Sequence, residues 1–217
     1  MMRVEDAVVA ARAGADAVGM IFYKPAPRCI SLELARAIVT ALPPYVEPVG
    51  VFVDAPANEV IGVAADVGLR TVQLNGHETP ELIRDLGALE VVKAIRVDAA
   101  SIEDELNNWR KAIATLRLEN LGGFVLEPAR TGQAGGSGVA NDWNTIEKLQ
   151  RDGLFHELPP LVAAGGLAPE TVAEVVARIR PWAVDVSSGV EESRGVKSKE
   201  KIQRFVGAVQ LADRQRE

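Results

Sequence analysis

Seven short, nearly continuous apolar runs alternate with stretches of helical periodicity, and this alternation constrains the fold more than any other feature of the chain. The runs are AVGMIF (17–22), PVGVFV (48–53), TVQL (71–74), VVKAIRV (91–97), GFVLE (123–127), PLVAAG (160–165) and AVDVSS (183–188). Runs of this kind are expected for strands buried on both faces of a parallel sheet. Helical spacing of apolar residues predicts helices over Val4–Ala13, Leu32–Ala41, Ala57–Val67, Pro80–Leu86, Ser101–Leu116, Asp142–Arg151, Pro169–Arg178 and Lys199–Leu211. Ser31, Thr79 and Asn141-Asp142 stand where helix caps belong, and Gly14, Gly68 and Gly87 where helices should end. Strict strand–helix alternation predicts a parallel α/β architecture. Seven strands, eight helices and a chain that opens directly on a helix fit a (β/α)8 TIM barrel lacking its first strand better than a doubly wound sheet. No linker-like tract interrupts the pattern, so residues 1–217 are expected to form a single domain.

Composition narrows the partners. A formal net charge of −6 argues against nucleic acid or an anionic membrane. An anionic ligand therefore needs a local site of backbone N–H groups and a few arginines. No run is long enough to span a bilayer, and no signal-peptide pattern opens the chain. Cys29 is the single cysteine, which excludes an intrachain disulfide and fits a reducing compartment, the cytoplasm.

Three glycine-bearing segments follow the last three strands: QAGGSG (133–138), AAGGL (163–167) and SSGVE (187–191). Glycine lets backbone amides approach an anion closely, and barrels repeatedly bind phosphate at the loops after strands seven and eight. The candidate phosphate ligands are the backbones of Gly135, Gly136, Ser137, Gly138, Ala164, Gly165, Gly166, Ser187, Ser188 and Gly189. The substrate expected is a small phosphorylated sugar.

Read with their neighbours, these segments resemble phosphoribosylanthranilate isomerase of tryptophan biosynthesis. The stretches that carry the resemblance are RVEDA (3–7), GADAVGMIFY with PRCIS (14–31), LPPYVEPVGVFV (42–53), VQLNG (72–76), VKAIRV (92–97), GGSGVANDW (135–143), LVAAGGL (161–167) and VDVSSGVEES with GVK (184–197), in order over almost the whole chain. The resemblance implies an Amadori rearrangement of N-(5-phosphoribosyl)anthranilate to 1-(2-carboxyphenylamino)-1-deoxyribulose 5-phosphate, with no metal or organic cofactor. It also implies a monomer or homodimer. General acid–base catalysis is the physics of that step.

Residue by residue, the resemblance places Glu127 at the general acid, where the family usually has the shorter aspartate. Asp185 matches the second site aspartate, on the sugar. Arg28 matches the arginine aimed at the anthranilate carboxylate, which a guanidinium can grip through two hydrogen bonds. Gln73 and Asn75 match VQLxG, with Asn75 where histidine is usual, and Arg96 is expected at the rim. Lys93 reads as an interior charge, and His77 and His156 as surface residues.

The family's general base is a cysteine in a strand directly before the first helix, and this chain begins just after the matching position. Cys29, in PRCIS, does not replace it by spacing. A start assigned too late is favoured over a natural loss, because deleting a barrel strand forfeits several aliphatic side chains at about 1.5–3 kcal/mol each and exposes two strand edges. Two alternatives stand beside the isomerase reading: an inactive phosphate-binding barrel, and another phosphosugar lyase or epimerase of the same fold. In-frame codons upstream of Met1 are expected to encode a β-rich run ending in Lys-Ile-Cys-Gly or a close variant, and an in-frame stop with no such codons refutes this. Residues 1–217 alone are expected to turn over little or no phosphoribosylanthranilate, measured by loss of its fluorescence.

Overall fold

The computed structural model describes residues 1–129 and 140–215. Helices and strands alternate through it: α1 (Val4–Ala13), β1 (Ala17–Ile21), α2 (Leu32–Ala41), β2 (Glu47–Phe52), α3 (Ala57–Val67), β3 (Thr71–Leu74), α4 (Pro80–Asp85), β4 (Glu90–Val97), α5 (Ile102–Leu116), β5 (Leu121–Pro128), α6 (Trp143–Arg151), β6 (Leu161–Ala163), α7 (Val172–Ile179), β7 (Ala183–Val184) and α8 (Lys199–Arg214). The expected helix starts hold where a side chain caps them: Ser31 accepts from Leu34, Thr79 from Leu82 and Asp142 from Thr145. The seventh helix begins at Val172 rather than Pro169, because Thr171 closes a turn on Ala168 before helical bonding starts. The run over 183–188 yields a strand of two residues followed by a 3-10 turn, Ser188–Val190, and a small antiparallel hairpin, β8 (Glu191–Ser193) with β9 (Val196–Lys197).

β1 to β7 pair in parallel in chain order, each strand beside its sequence neighbours. This is the order of a (β/α) barrel, open between β7 and β1, where no ladder joins the two among the described residues. The outer layer crosses that opening: α8 packs on both α7 and α1, and the backbone of Gly14 lies against Val206 and Gln210. Among the described residues no helix is long and apolar enough to cross a membrane.

Period-two alternation divides the sheet into two apolar clusters. Val18, Met20, Phe52, Val72, Leu74, Ile95, Phe124 and Leu126 are fully buried in the large cluster between strands and helices. A separate small cluster, Ala94, Val125 and Ala164 with Val92 and Val162, lies on the opposite face, inside the curl. The same parity carries Gln73, Arg96, Glu127 and Asp185 to that inner face at the carboxyl ends of their strands.

The loop after β3 is held by a buried ion pair. Lys93 lies on the helix-facing side of β4, its Nζ 2.9 Å from Glu78, and it also donates to the carbonyls of Leu74, Gly76 and Ala94. Glu78 in turn accepts from the amides of Asp54 and Gly76, tying the loops after β2 and β3 together. Removing one partner leaves the other's buried charge without a counter-charge. Glu78→Ala is therefore expected to lower unfolding free energy by about 3–5 kcal/mol; urea unfolding that shifts by less than 1 kcal/mol would contradict the clamp.

Candidate active site

The inner face opens as a cleft of ≈ 160 Å³, lined by Met1, Met2, residues of β1, Asn75, Glu127, Asp185 and the β8–β9 hairpin. Strands at opposite ends of the sheet contribute to one cleft, so the sheet is curled. Of the expected site residues, Arg28, Gln73, Asn75, Glu127, Asp185 and Ser187 border it.

Three of them form a chain. Gln73 Nε2 donates to Asn75 Oδ1 at 2.7 Å, and Asn75 Nδ2 donates to Glu127 Oε1 at 3.1 Å. Because Gln73 occupies the Asn75 oxygen, the amide nitrogen is the end that faces the carboxyl. The backbone amide of Asn75 donates to Phe52 at 2.8 Å, and the Lys93–Glu78 clamp fixes the residue that follows. Asn75 and Glu127, both departures from the usual residues of the resembled family, thus meet each other across β4. Arg96 pairs in register with Glu127 on the same face, but it does not border the cleft. It lies near Glu105 of α5, whose carboxyl burial pushes up while Lys93 and Arg96 draw it down.

Arg28 meets Glu191 through two hydrogen bonds, 2.8 and 2.6 Å long, with side-chain exposures of only 11% and 6%. Lys197 Nζ lies 3.3 Å from the same carboxylate and donates to the carbonyl of Ser187. Burial opposes ionisation of Glu191, but the Arg28 hydrogen bonds and the charges of Lys197 and Arg28 outweigh it and hold the carboxyl at about 2. Burial lowers Lys197, against the pull of Glu191. Asp185 is reachable from the cleft yet crowded by protein, and this desolvation raises its carboxyl above the ordinary range despite Lys197.

Glu191 and Lys197 went unrecognised as site residues in the sequence, although both lie in segments that carried the resemblance. Strands of three and two residues leave no readable periodicity, and the only local hint of a hairpin is Gly195 in its turn, at φ 85°.

The glycine loops after β6 and β7 touch. A Cβ on Gly189 would sit 1.9 Å from the carbonyl oxygen of Leu167, and one on Gly165, at φ 94°, would meet the Pro128 ring at 2.4 Å. Only glycine permits both approaches. Ala164, Gly165, Gly166, Ser188 and Gly189 lie at this rim without bordering the cleft, whereas Ser187 borders it. Gly135, Gly136, Ser137 and Gly138 lie outside the described residues. Asn141, buried, staples the ends of β5 and β6 by donating to Leu126 and Ala164. Cys29 is half-buried in a bridge with Ile21, its thiol 3.8 Å from the carbonyl of Ile30, and does not border the cleft.

The family model described as N-(5'-phosphoribosyl)anthranilate (PRA) isomerase matches residues 1–208. The chain belongs to the phosphoribosylanthranilate isomerase family. It is 43% identical over 207 residues to the N-(5'-phosphoribosyl)anthranilate isomerase of Rubrobacter xylanophilus, covering 94% of this chain and 93% of that one. The Azotobacter vinelandii isomerase is 41% identical over 213 residues, with 97% and 94% covered. The crystal structure of the Thermotoga maritima isomerase superposes with a TM-score of 0.83 at 36% identity, covering 97% of this chain and 96% of that one. A further phosphoribosylanthranilate isomerase structure, in complex with reduced 1-(o-carboxyphenylamino)-1-deoxyribulose 5-phosphate, matches with a TM-score of 0.79 at 35% identity over 97% and 95% of the two chains.

A carboxyl with a raised folded-state pKa costs stability once pH exceeds its unfolded value, and the cost is absent where both states are protonated. Asp185→Asn is accordingly expected to raise the Tm at pH 7, with the gain fading as pH falls through and below the usual carboxylate range. An equal gain at pH 7 and pH 3 contradicts the assignment.

Proposed function

We propose that the chain is a phosphoribosylanthranilate isomerase, working as one cytoplasmic domain in tryptophan biosynthesis on N-(5'-phosphoribosyl)anthranilate. The observation that carries this reading beyond family membership is the convergence of Arg28, the Gln73–Asn75–Glu127 chain and Asp185 on one cleft at the carboxyl ends of the strands.

In this reading the amide-lined rim of Ala164, Gly165, Gly166, Ser187, Ser188 and Gly189 takes the phosphate, whose charge backbone N–H groups favour without competing cations. Arg28 takes the anthranilate carboxylate. Glu127 gives a proton to the furanose ring oxygen, which opens the ring to a Schiff base. With Oε1 accepting from Asn75, the transferred proton is carried on Oε2. Loss of the proton on carbon 2 and tautomerisation then yield the deoxyribulose product. Asp185 contacts the sugar, and desolvation raises its carboxyl above the ordinary carboxylate range, as at groups tuned for proton exchange. In the resembled family the base that removes the carbon proton is a cysteine in the strand before the first helix. Cys29, on the loop before α2 and turned to a backbone carbonyl, has no part in it.

The native gene should restore growth without tryptophan to a bacterium lacking its own isomerase. The Glu127→Gln form should fail to do so, with kcat reduced by about 10²–10⁴-fold and affinity for reduced 1-(o-carboxyphenylamino)-1-deoxyribulose 5-phosphate little changed. No rescue by the unmutated gene, with no affinity for that ligand, overturns the proposal.

A further inference from the structure

Glu191 borders the cleft, is nearly inaccessible, and takes no part in the chemistry above. Its carboxylate meets Arg28 edge to edge: Nε donates to Oε1 at 2.8 Å and Nη2 to Oε2 at 2.6 Å. Lys197 donates to Oε1 at 3.3 Å, and Lys201 from α8 donates to the Glu191 backbone carbonyl at 2.6 Å. Glu191 is thus tied down by side chain and main chain within a hairpin that Asp6 also holds, through the amide of Lys197 at 3.0 Å.

Arg28 presents the complementary picture. Its Nε–Nη2 edge is consumed, while Nη1 makes no hydrogen bond or ion pair with another described residue, and the side chain borders the cleft. A guanidinium has two edges able to grip a carboxylate, and fixing one of them orients the other.

We propose that Glu191 is a positioning residue, gripping one edge of Arg28 so that the opposite edge, at Nη1, is held as a socket for the aromatic carboxylate of the ligand. The inference rests on the proposed function, which sets that carboxylate against Arg28. A latch, in which Glu191 blocks Arg28 until ligand displaces it, makes the opposite demand: Glu191 would have to leave a site where Lys197 and Lys201 restrain it. Preorganisation of Arg28 removes the cost of ordering a long, flexible side chain on binding.

The test is a titration of the full chain and of Glu191→Ala and Glu191→Gln with two probes. One is reduced 1-(o-carboxyphenylamino)-1-deoxyribulose 5-phosphate, and the other is its counterpart lacking the ring carboxyl. Glu191→Ala should weaken the first by about 10–100-fold and the second by less than two-fold. Glu191→Gln, isosteric and able to accept from only one side of the guanidinium, should fall between, and it carries the test if the alanine form does not fold. Equal loss for both probes makes Glu191 a structural residue and overturns the proposal, as does tighter binding of the first probe, the mark of a latch. Wild type that binds both probes equally overturns the socket but leaves the isomerase reading intact. Wild type that binds neither overturns that reading and the socket with it.

Discussion

Everything functional in this protein depends on the two-faced pleat of a parallel sheet. One face must be covered by helices, and the outward set of Val18, Met20, Val72, Leu74, Ile95, Phe124 and Leu126 supplies the burial that makes this favourable. Each outward residue commits its neighbours to the inside. At the carboxyl ends of β3, β4 and β5 the inward positions are Gln73, Arg96 and Glu127, and the chain leaving β7 adds Asp185. The hydrophobic core on the outside therefore aims the chemistry on the inside, and a register slip of one residue would exchange the two.

The cleft is assembled from charged groups drawn out of water. Asp185 is desolvated, Lys197 is lowered by burial, and Arg28, Glu191 and Lys197 form a triad withdrawn from water. Such groups are tolerated because each has a partner at hydrogen-bond distance or a charge nearby. The loops are restrained in the same way. Lys93 and Glu78 join the loops after β2 and β3 below Asn75, Asn141 joins β5 to β6, and Gly189 lets the last two loops touch. Precise placement of a few polar atoms is thus distributed over buried bonds that touch no ligand themselves.

The alternation of short apolar runs with amphipathic stretches determined the fold class, the strand order implied by it and most element boundaries, because burial on two faces and helical periodicity are local properties of the chain. The family resemblance of the sequence also singled out Arg28, Gln73, Asn75, Glu127 and Asp185. Only the tertiary structure decided which of these meet. Asn75 and Glu127 are 52 positions apart and Arg28 and Glu191 are 163 apart, and no local pattern encodes those bonds. Glu191 and Lys197 were hidden for the same reason: strands of two and three residues carry no period, and the value of a carboxylate or an ammonium lies in what the fold brings opposite it. Arg96 shows the converse, since its parity could be read from the strand, whereas its distance from the cleft depends on how the sheet curls.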